Sequence, residues 1–270
     1  MSSGPHHPRG LHAVTESPVP GLALAERRID DAIATVICVH GGLDRGGSFA
    51  RLARRSDSFN FVAYDRRGYQ GSRSLGPLTL QDHVDDLLAL AEREVARGPV
   101  IFFGHSFGGL IALCAAIASP SSAQLVIAYE SPLPWVLERE SSRPLLTSDP
   151  EHEAEVFFRR MVSNSAWERL SEREKESRRL DGPALLSDLT TLRSGTVACD
   201  LADLKTPTLY LHGDGVIAAY YRELGDRLRS ANPLIQVREL AHANHGAHLS
   251  SPDQLLAVID ETWESTCESV

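Results

Sequence analysis

The chain has 270 residues, 42% of them hydrophobic, and a formal net charge of −9. A chain of this size can bury a large core, and we expect one large domain, or one domain with an insertion, rather than two equal domains. The acidic balance and the lack of a long basic run argue against a nucleic-acid or anionic-membrane surface. We therefore expect the partner to be a small-molecule substrate.

The four cysteines lie far apart along the chain and have no C-x-x-C spacing, so we expect free thiols rather than a zinc or redox site. No apolar run approaches the ~20 residues that a membrane helix needs. The opening stretch MSSGPHHPRG lacks the apolar core of a secretory signal. These features favour a cytoplasmic location, and the oligomeric state is left open.

The elements in the first half of the chain alternate between strands and helices. Residues 1–20 are rich in proline and predict an extended N-terminal arm. LALAERRI predicts an antiparallel edge strand, and LTLQDHVDDLLALAEREVARG (78–98) predicts an amphipathic helix with Thr79 as its N-cap. Four continuous apolar runs predict strands buried on both faces: ATVICVH (34–40), NFVAYD (60–65), VIFFGH (100–105) and LVIAYE (125–130).

Two more strands, TPTLYLHG (206–213) and LIQVREL (234–240), follow near the end of the chain, with a helix between them and another at 252–265. This alternation predicts an α/β fold with a mostly parallel sheet and helices on both faces. Residues 21–131 and 206–270 would form its core.

Residues 132–205 interrupt the alternation, because they contain no strand-like run but have helical patterns around 150–163, 165–180 and 183–193. This segment predicts a helical insertion that packs on the carboxyl edge of the sheet. Among its apolar side chains, we expect Phe158, Met161 and Trp167 to line a substrate pocket.

Ser106 lies between a predicted buried strand and a predicted helix of small residues, in VIFFGHSFGGLIALCAAI. The chain must turn sharply there, and glycines at 104 and 108 let the strand and helix backbones approach closely. The amide of Phe107, at the start of the helix, would be free to donate to an anion. The pattern indicates a nucleophilic serine beside an anion-binding amide.

At this point the sequence resembles the α/β-hydrolase family, whose G-x-S-x-G nucleophile elbow corresponds to GHSFG. The resemblance implies an α/β-hydrolase fold with an inserted helical cap. It also implies that the loop VHGG (39–42) supplies a second amide to the oxyanion hole, from Gly42 or alternatively Leu43. YDRRGYQGS (64–72) is similar to a turn of the family that we interpret as scaffold.

A serine hydroxyl needs a base, and neutral imidazole is suited to that task. ELAHANHGAHLSSPDQLL (239–256) contains three histidines, and the resemblance implies that His245 is the base, with His248 as the alternative. The spacing of His242, His245 and His248 also permits a metal interpretation. We expect no metal and no organic cofactor, because the segment is a loop with one nearby carboxylate.

The remaining histidines outside the N-terminal arm fall into two groups. We interpret His40, His105 and His212, at strand ends, as structural neighbours of the site, and His83 and His152 as helix-surface residues.

The acid that should orient the imidazole is ambiguous. The family's usual position in H-G-x-x-D is occupied by Val216 in HGDGV, with Asp214 two residues earlier. The resemblance offers a second position, at the end of the preceding strand, where LVIAYESPLP places Glu130. We favour Glu130, because an acid at the end of an apolar run would otherwise be costly, and keep Asp214 as the alternative.

These residues predict a metal-free serine hydrolase, similar to carboxylesterases, that cleaves an ester of a small to medium, largely apolar substrate through an acyl-serine intermediate. Two alternatives remain open, since fold does not fix function. One is a lyase or acyl transferase with the same residues, and the other is a non-catalytic, ligand-binding member of the fold.

Overall fold

The computed structural model describes residues 10–76, 79–137, 149–194 and 196–268. Its strands are β1 His12–Val14, β2 Leu24–Arg27, β3 Ala34–Val39, β4 Phe59–Tyr64, β5 Val100–His105, β6 Leu125–Tyr129, β7 Thr208–Gly213 and β8 Ile235–Leu240. Within the described residues they form an eight-stranded sheet in the order β1-β2-β4-β3-β5-β6-β7-β8. Strands β3 to β8 pair in parallel, and β1 and β2 are antiparallel.

The helices connect and cover these strands. They are α1 Ala50–Arg55, α2 Leu80–Val95, α3 Phe107–Ala118, α4 Pro150–Met161, α5 Asn164–Arg169, α6 Glu172–Leu180, α7 Gly182–Arg193, α8 Ala218–Ala231, α9 Ala247–Ser250 and α10 Pro252–Glu268. Helix α2 begins with the expected cap, because the Thr79 side chain accepts from the Asp82 amide in a capping box. Among the described residues, no helix combines the length and hydropathy that a membrane crossing requires.

The sheet is buried on both faces, which confirms the α/β fold predicted from its continuous apolar strands. Successive strand residues point to opposite faces, so Ile37 and Val39 join the core under α2, α3 and α8. Val36 and Cys38 join the core under α1 and α10. The four cysteines are free. The carboxyl ends of β3, β5, β6, β7 and β8 meet at one edge, where ligands bind in open α/β sheets.

Helices α4 to α7 lie in the chain between β6 and β7, in the segment predicted to be an insertion. They pack around a small apolar core that also includes Leu43 and Tyr69 from the sheet domain. Two acids of this segment bind arginines of the loop after β4: Asp188 pairs with Arg66 and Asp181 with Arg73, each at 2.6 Å. Polar as well as apolar contacts therefore hold these helices against the sheet edge.

Of the predicted N-terminal arm, residues 1–9 lie outside the described residues, and the described part contains a short strand. His12, Ala13 and Val14 form strand β1, which pairs with β2 and therefore takes the edge position expected for β2. A strand of three residues is too short to show the alternation of apolar and polar side chains that predicts a strand. The strand forms because β2 has a free edge with which it can pair. The local sequence of the arm does not reveal this edge.

Candidate active site

Ser106 occupies the turn between β5 and α3, with φ 54° and ψ −124°. This left-handed backbone is uncommon for a residue with a side chain. A Cβ at Gly104 would lie 2.4 Å from the Gly108 carbonyl oxygen, and one at Gly108 would lie 2.1 Å from that of Val39. Only glycine fits at both positions, and the close packing forces the sharp turn at a partly exposed serine.

His245 lies in the loop after β8, and its Nδ1 is 2.6 Å from Oε2 of Glu130. Glu130 follows β6 with a left-handed φ of 46° and is only 2% exposed. Its other oxygen, Oε1, accepts from the Gly213 amide at 3.0 Å. A buried carboxylate is therefore hydrogen-bonded through both oxygens, and it holds the imidazole by Nδ1, which leaves Nε2 available.

Asp214 lies in a different environment. Its Oδ2 accepts from the backbone amide of His242 at 2.9 Å, and the residue is exposed. That hydrogen bond, in the main, lowers the pKa of Asp214 below its usual value. Asp214 thus contacts the backbone of the loop that carries His245, while Glu130 contacts the imidazole itself.

The predicted oxyanion-hole amides come from two segments. Phe107 is the first residue of α3, where an amide has no acceptor within the helix. In the loop after β3, Leu43 has a left-handed φ of 53°. A Cβ on Gly42 would lie 3.0 Å from Cδ1 of Leu185 on α7. Gly42 and Leu43 therefore lie beneath the inserted helices, and both remain candidates for the second amide.

A buried polar network supports this loop from below. Arg66 is 0% exposed and donates through Nη2 to Oδ2 of Asp188 at 2.6 Å and to the Gly41 carbonyl at 3.3 Å. Its amide donates to Nε2 of His40 at 2.8 Å. Tyr69 also donates to Asp188, at 2.6 Å. The DRRG turn, interpreted from sequence as scaffold, thus connects the loop after β3 to helix α7.

Sequence reasoning missed Asp188 as the partner in this network. A lone acid in the apolar helix GPALLSDLTTLR was the available signal, since a buried carboxylate requires a cation or donors. The interpretation of His83 as a helix-surface residue is wrong: it is 3% exposed, with Nε2 3.3 Å from Nη1 of Arg66. His83 borders the apolar stripe of α2, and the buried arginine that faces it comes from the loop that follows β4, 17 residues earlier in the chain.

The positions of the other histidines near the site bear on the choice of His245 or His248 as the base. His248, the alternative base, is 1% exposed, and its Nε2 is 3.2 Å from Oδ2 of Asp44. His105 lies between the rings of His245 and His248, with centroid distances of 4.6 and 4.4 Å. His242 is exposed. Of the three loop histidines, His245 is the one that contacts Glu130.

The predicted pocket residues lie in or beside the core of the inserted helices. The rings of Phe158 and Trp167 are 5.4 Å apart, and Trp167 is 1% exposed. Met161, at the end of α4, is half-buried. Phe158 and Trp167 both belong to the apolar core of the insertion. Their role in binding stays a prediction.

Comparison with known proteins agrees with this architecture. A model of the alpha/beta hydrolase family matches residues 36–258. The pimeloyl-[acyl-carrier protein] methyl ester esterase of Serratia marcescens is 24% identical over 255 residues, which cover 88% of this chain and 97% of that protein. Lipase LipV of Mycobacterium tuberculosis is 33% identical, but over only 35% of this chain and 36% of its own length.

The fold is also found among solved structures. A thermophilic esterase from Thermogutta terrifontis superimposes with a TM-score of 0.67 at 20% identity, covering 95% of this chain and 98% of that one. A likeness at this identity concerns the fold.

Proposed function

Because the chain belongs to the alpha/beta hydrolase family, we propose that it is a serine hydrolase that cleaves an ester or a related acyl bond through an acyl-Ser106 intermediate. The observation that carries the proposal is the 2.6 Å contact between Glu130 and Nδ1 of His245. The backbone carbonyl of His245 also lies 2.8 Å from Nε2 of His105, the residue that precedes Ser106. The relatives named as an esterase and a lipase support the choice of an ester.

In the proposed reaction, Nε2 of His245 takes the proton of the Ser106 hydroxyl as Oγ attacks the acyl carbon. The amide of Phe107, with that of Gly42 or Leu43, holds the oxyanion. His245 returns the proton to the departing alcohol and then activates a water, which releases the acid. Glu130 accepts from Nδ1 throughout, which fixes the tautomer and offsets the charge of the imidazolium.

The substrate is proposed to carry a small to medium, largely apolar group. Leu185 and Phe157 of the inserted helices lie over Gly42, within 3.0 and 3.7 Å of the point where its Cβ would be. A second surface is polar: a cavity of about 220 Å³ between the loop after β3 and helix α6 is lined by Arg45, Gln70, Arg173, Glu174, Ser177 and Arg178. A paired series of neutral and carboxylate-bearing esters of equal length tests which surface the substrate uses.

The activity is tested with a panel of esters, thioesters, lactones and amides, each with the unmodified chain and with Ser106→Ala. We expect ester hydrolysis that depends on Ser106. An added alcohol or amine acceptor tests the transferase alternative, which predicts that acyl transfer exceeds hydrolysis. Turnover of no acyl substrate, together with tight binding of a small molecule, would favour the ligand-binding alternative and refute the proposal.

A further inference from the structure

A second cluster of chemically active side chains lies beside the proposed catalytic residues and has no part in the mechanism above. Asp44 follows β3, His105 ends β5 and His248 lies in α9. One ligand atom from each lies within 4.8 Å of those of the other two. Oδ2 of Asp44 is 3.2 Å from Nε2 of His248 and 4.0 Å from Nδ1 of His105. Three separate parts of the chain thus bring one carboxylate and two imidazoles together.

The hydrogen bonding of His105 determines which of its nitrogens is free. Its Nε2 lies 2.8 Å from the carbonyl oxygen of His245, and a carbonyl can only accept, so Nε2 carries a proton. In the neutral ring, Nδ1 then has a lone pair. That atom is buried, has no hydrogen-bond partner among the described residues, and faces the carboxylate of Asp44. Two acceptors facing each other in a buried site require a cation or a donor between them.

His248 has a similar deficit. It is 1% exposed, and neither ring nitrogen has a well-aligned hydrogen bond to any described group. Its Nε2 is close to Asp44 but out of line for a hydrogen bond. Ser48 donates to the same Asp44 oxygen at 3.0 Å, which orients the carboxylate. Buried polar atoms are normally satisfied, so these unpartnered nitrogens indicate a missing ligand.

We propose that Asp44, His105 and His248 bind one divalent first-row transition-metal ion, such as Zn²⁺. Two imidazoles and one carboxylate are a donor set that such ions favour, and the hydrogen bond from Nε2 of His105 to a backbone carbonyl is typical of a metal-ligating histidine. Ligands about 2.1 Å from a tetrahedral ion lie roughly 3.4 Å from one another, against 3.2 and 4.0 Å for the two separations from Asp44, so His105 would move slightly closer on binding. The partly exposed carboxylate of Asp44 offers the entry route.

The sequence predicts no metal among the three histidines of residues 242–248, and the proposed site uses only His248 from that segment. The other two ligands, Asp44 and His105, are more than a hundred residues away in sequence, so no spacing motif reveals them. The ion would join the loop after β3, the turn at Ser106 and the loop after β8. Its role would be to fix these loops relative to one another, without contact to the reacting atoms.

The test is direct binding of Zn²⁺ and Co²⁺ to the full chain after chelator treatment, followed by calorimetry and by the visible spectrum of bound Co²⁺. We expect one equivalent to bind, with the intense bands of a four-coordinate ion, and the melting temperature to rise. Asp44→Asn and His248→Gln preserve side-chain size and should each weaken binding by at least ~10-fold. His242→Gln, in the same loop but outside the cluster, is the matched control and should bind as the unmodified chain does.

A double substitution, His6→Ala with His7→Ala, removes a histidine pair that could bind metal on its own. This variant should still bind one equivalent of Zn²⁺. Histidine ¹⁵N spectra of the unmodified chain provide a readout that does not depend on variants folding. Zn²⁺ should shift the ring nitrogens of His105 and His248. The proposal would be overturned if Zn²⁺ does not bind, if Asp44→Asn and His248→Gln bind it as tightly as the unmodified chain, or if only other histidines shift. A proton shared between Asp44 and His248 would then explain the short contact.

Discussion

Replacement of Glu130 by glutamine examines the role assigned to the buried carboxylate. In the structure, Oε1 accepts from the Gly213 amide at 3.0 Å and Oε2 lies 2.6 Å from Nδ1 of His245. A glutamine amide has one acceptor and one donor end. If its oxygen keeps the Gly213 bond, its NH₂ group faces Nδ1 and favours the tautomer with the proton on Nε2. That tautomer cannot take the proton of Ser106.

The opposite orientation preserves the tautomer but sets the NH₂ group against the N–H of Gly213. The first arrangement keeps both hydrogen bonds and changes only the tautomer, whereas the second leaves buried groups unsatisfied, at a cost of about 1 to 3 kcal/mol of stability. The catalytic cost should be larger. In serine proteases, the corresponding change of the triad aspartate to asparagine lowers turnover by ~10⁴, or about 5.4 kcal/mol at ~1.36 kcal/mol per tenfold.

Steady-state kinetics on the best ester of the panel, with urea unfolding as a check of the fold, measure both effects. Asp214→Asn is the matched control, because Asp214 is exposed and its carboxylate accepts from the backbone of the loop that carries His245 instead of contacting the imidazole. It should cost at most about tenfold in turnover, since a single exposed hydrogen bond contributes little. A folded Glu130→Gln with near-normal turnover, or a larger loss in Asp214→Asn, would refute the assignment of the acid.

Three further predictions concern stability and specificity. Burial lowers the pKa of His40 to about 3, below its unfolded value near ~6.5. As the pH falls, the unfolded chain therefore binds the proton first, and the free energy of unfolding measured with urea should fall by about 2 kcal/mol between pH 6.5 and 5. A constant or rising free energy of unfolding would contradict a buried, neutral His40. Asp188→Asn leaves Arg66 uncompensated in the core and should cost about 3 to 5 kcal/mol of unfolding free energy, an effect that a loss below 1 kcal/mol would exclude. Phe158→Ala should alter the ratio of rates on short and long acyl chains more than the labelling of Ser106 by a phosphonate, and a uniform loss over chain lengths would assign Phe158 to packing alone.

The sequence predicted the sheet well, because its central strands are continuous apolar runs, and it predicted the position of the turn at Ser106. Those features depend on local patterns, such as the glycines at 104 and 108 that flank a hydroxyl. The 165–180 helical pattern was less accurate, since Ser171 caps a new helix and divides it into α5 and α6. The apolar periodicity continues across residues 170–171, although one helix ends there and another begins.

What the sequence could not show are contacts between residues distant along the chain. Arg66 and Asp188 are 122 positions apart, and each alone is compatible with an exposed charge. Asp44, His105 and His248 likewise become a cluster only when three strand ends converge at one edge of the sheet. Glu130 was within reach of sequence reasoning because an acid at the end of a buried strand needs a partner, although the partner had to be supplied by the resemblance.

The most direct test of the proposed mechanism is mass spectrometry of the chain after reaction with a fluorophosphonate, which traps an activated serine as a stable adduct. We expect one adduct per chain on the tryptic peptide that contains Ser106, none in Ser106→Ala, and much slower labelling in His245→Ala, because the hydroxyl then lacks its base. The Ser106→Ala variant should also lose ester turnover by ~10⁴-fold or more. An adduct on another residue, or undiminished labelling and turnover in Ser106→Ala, would contradict the account.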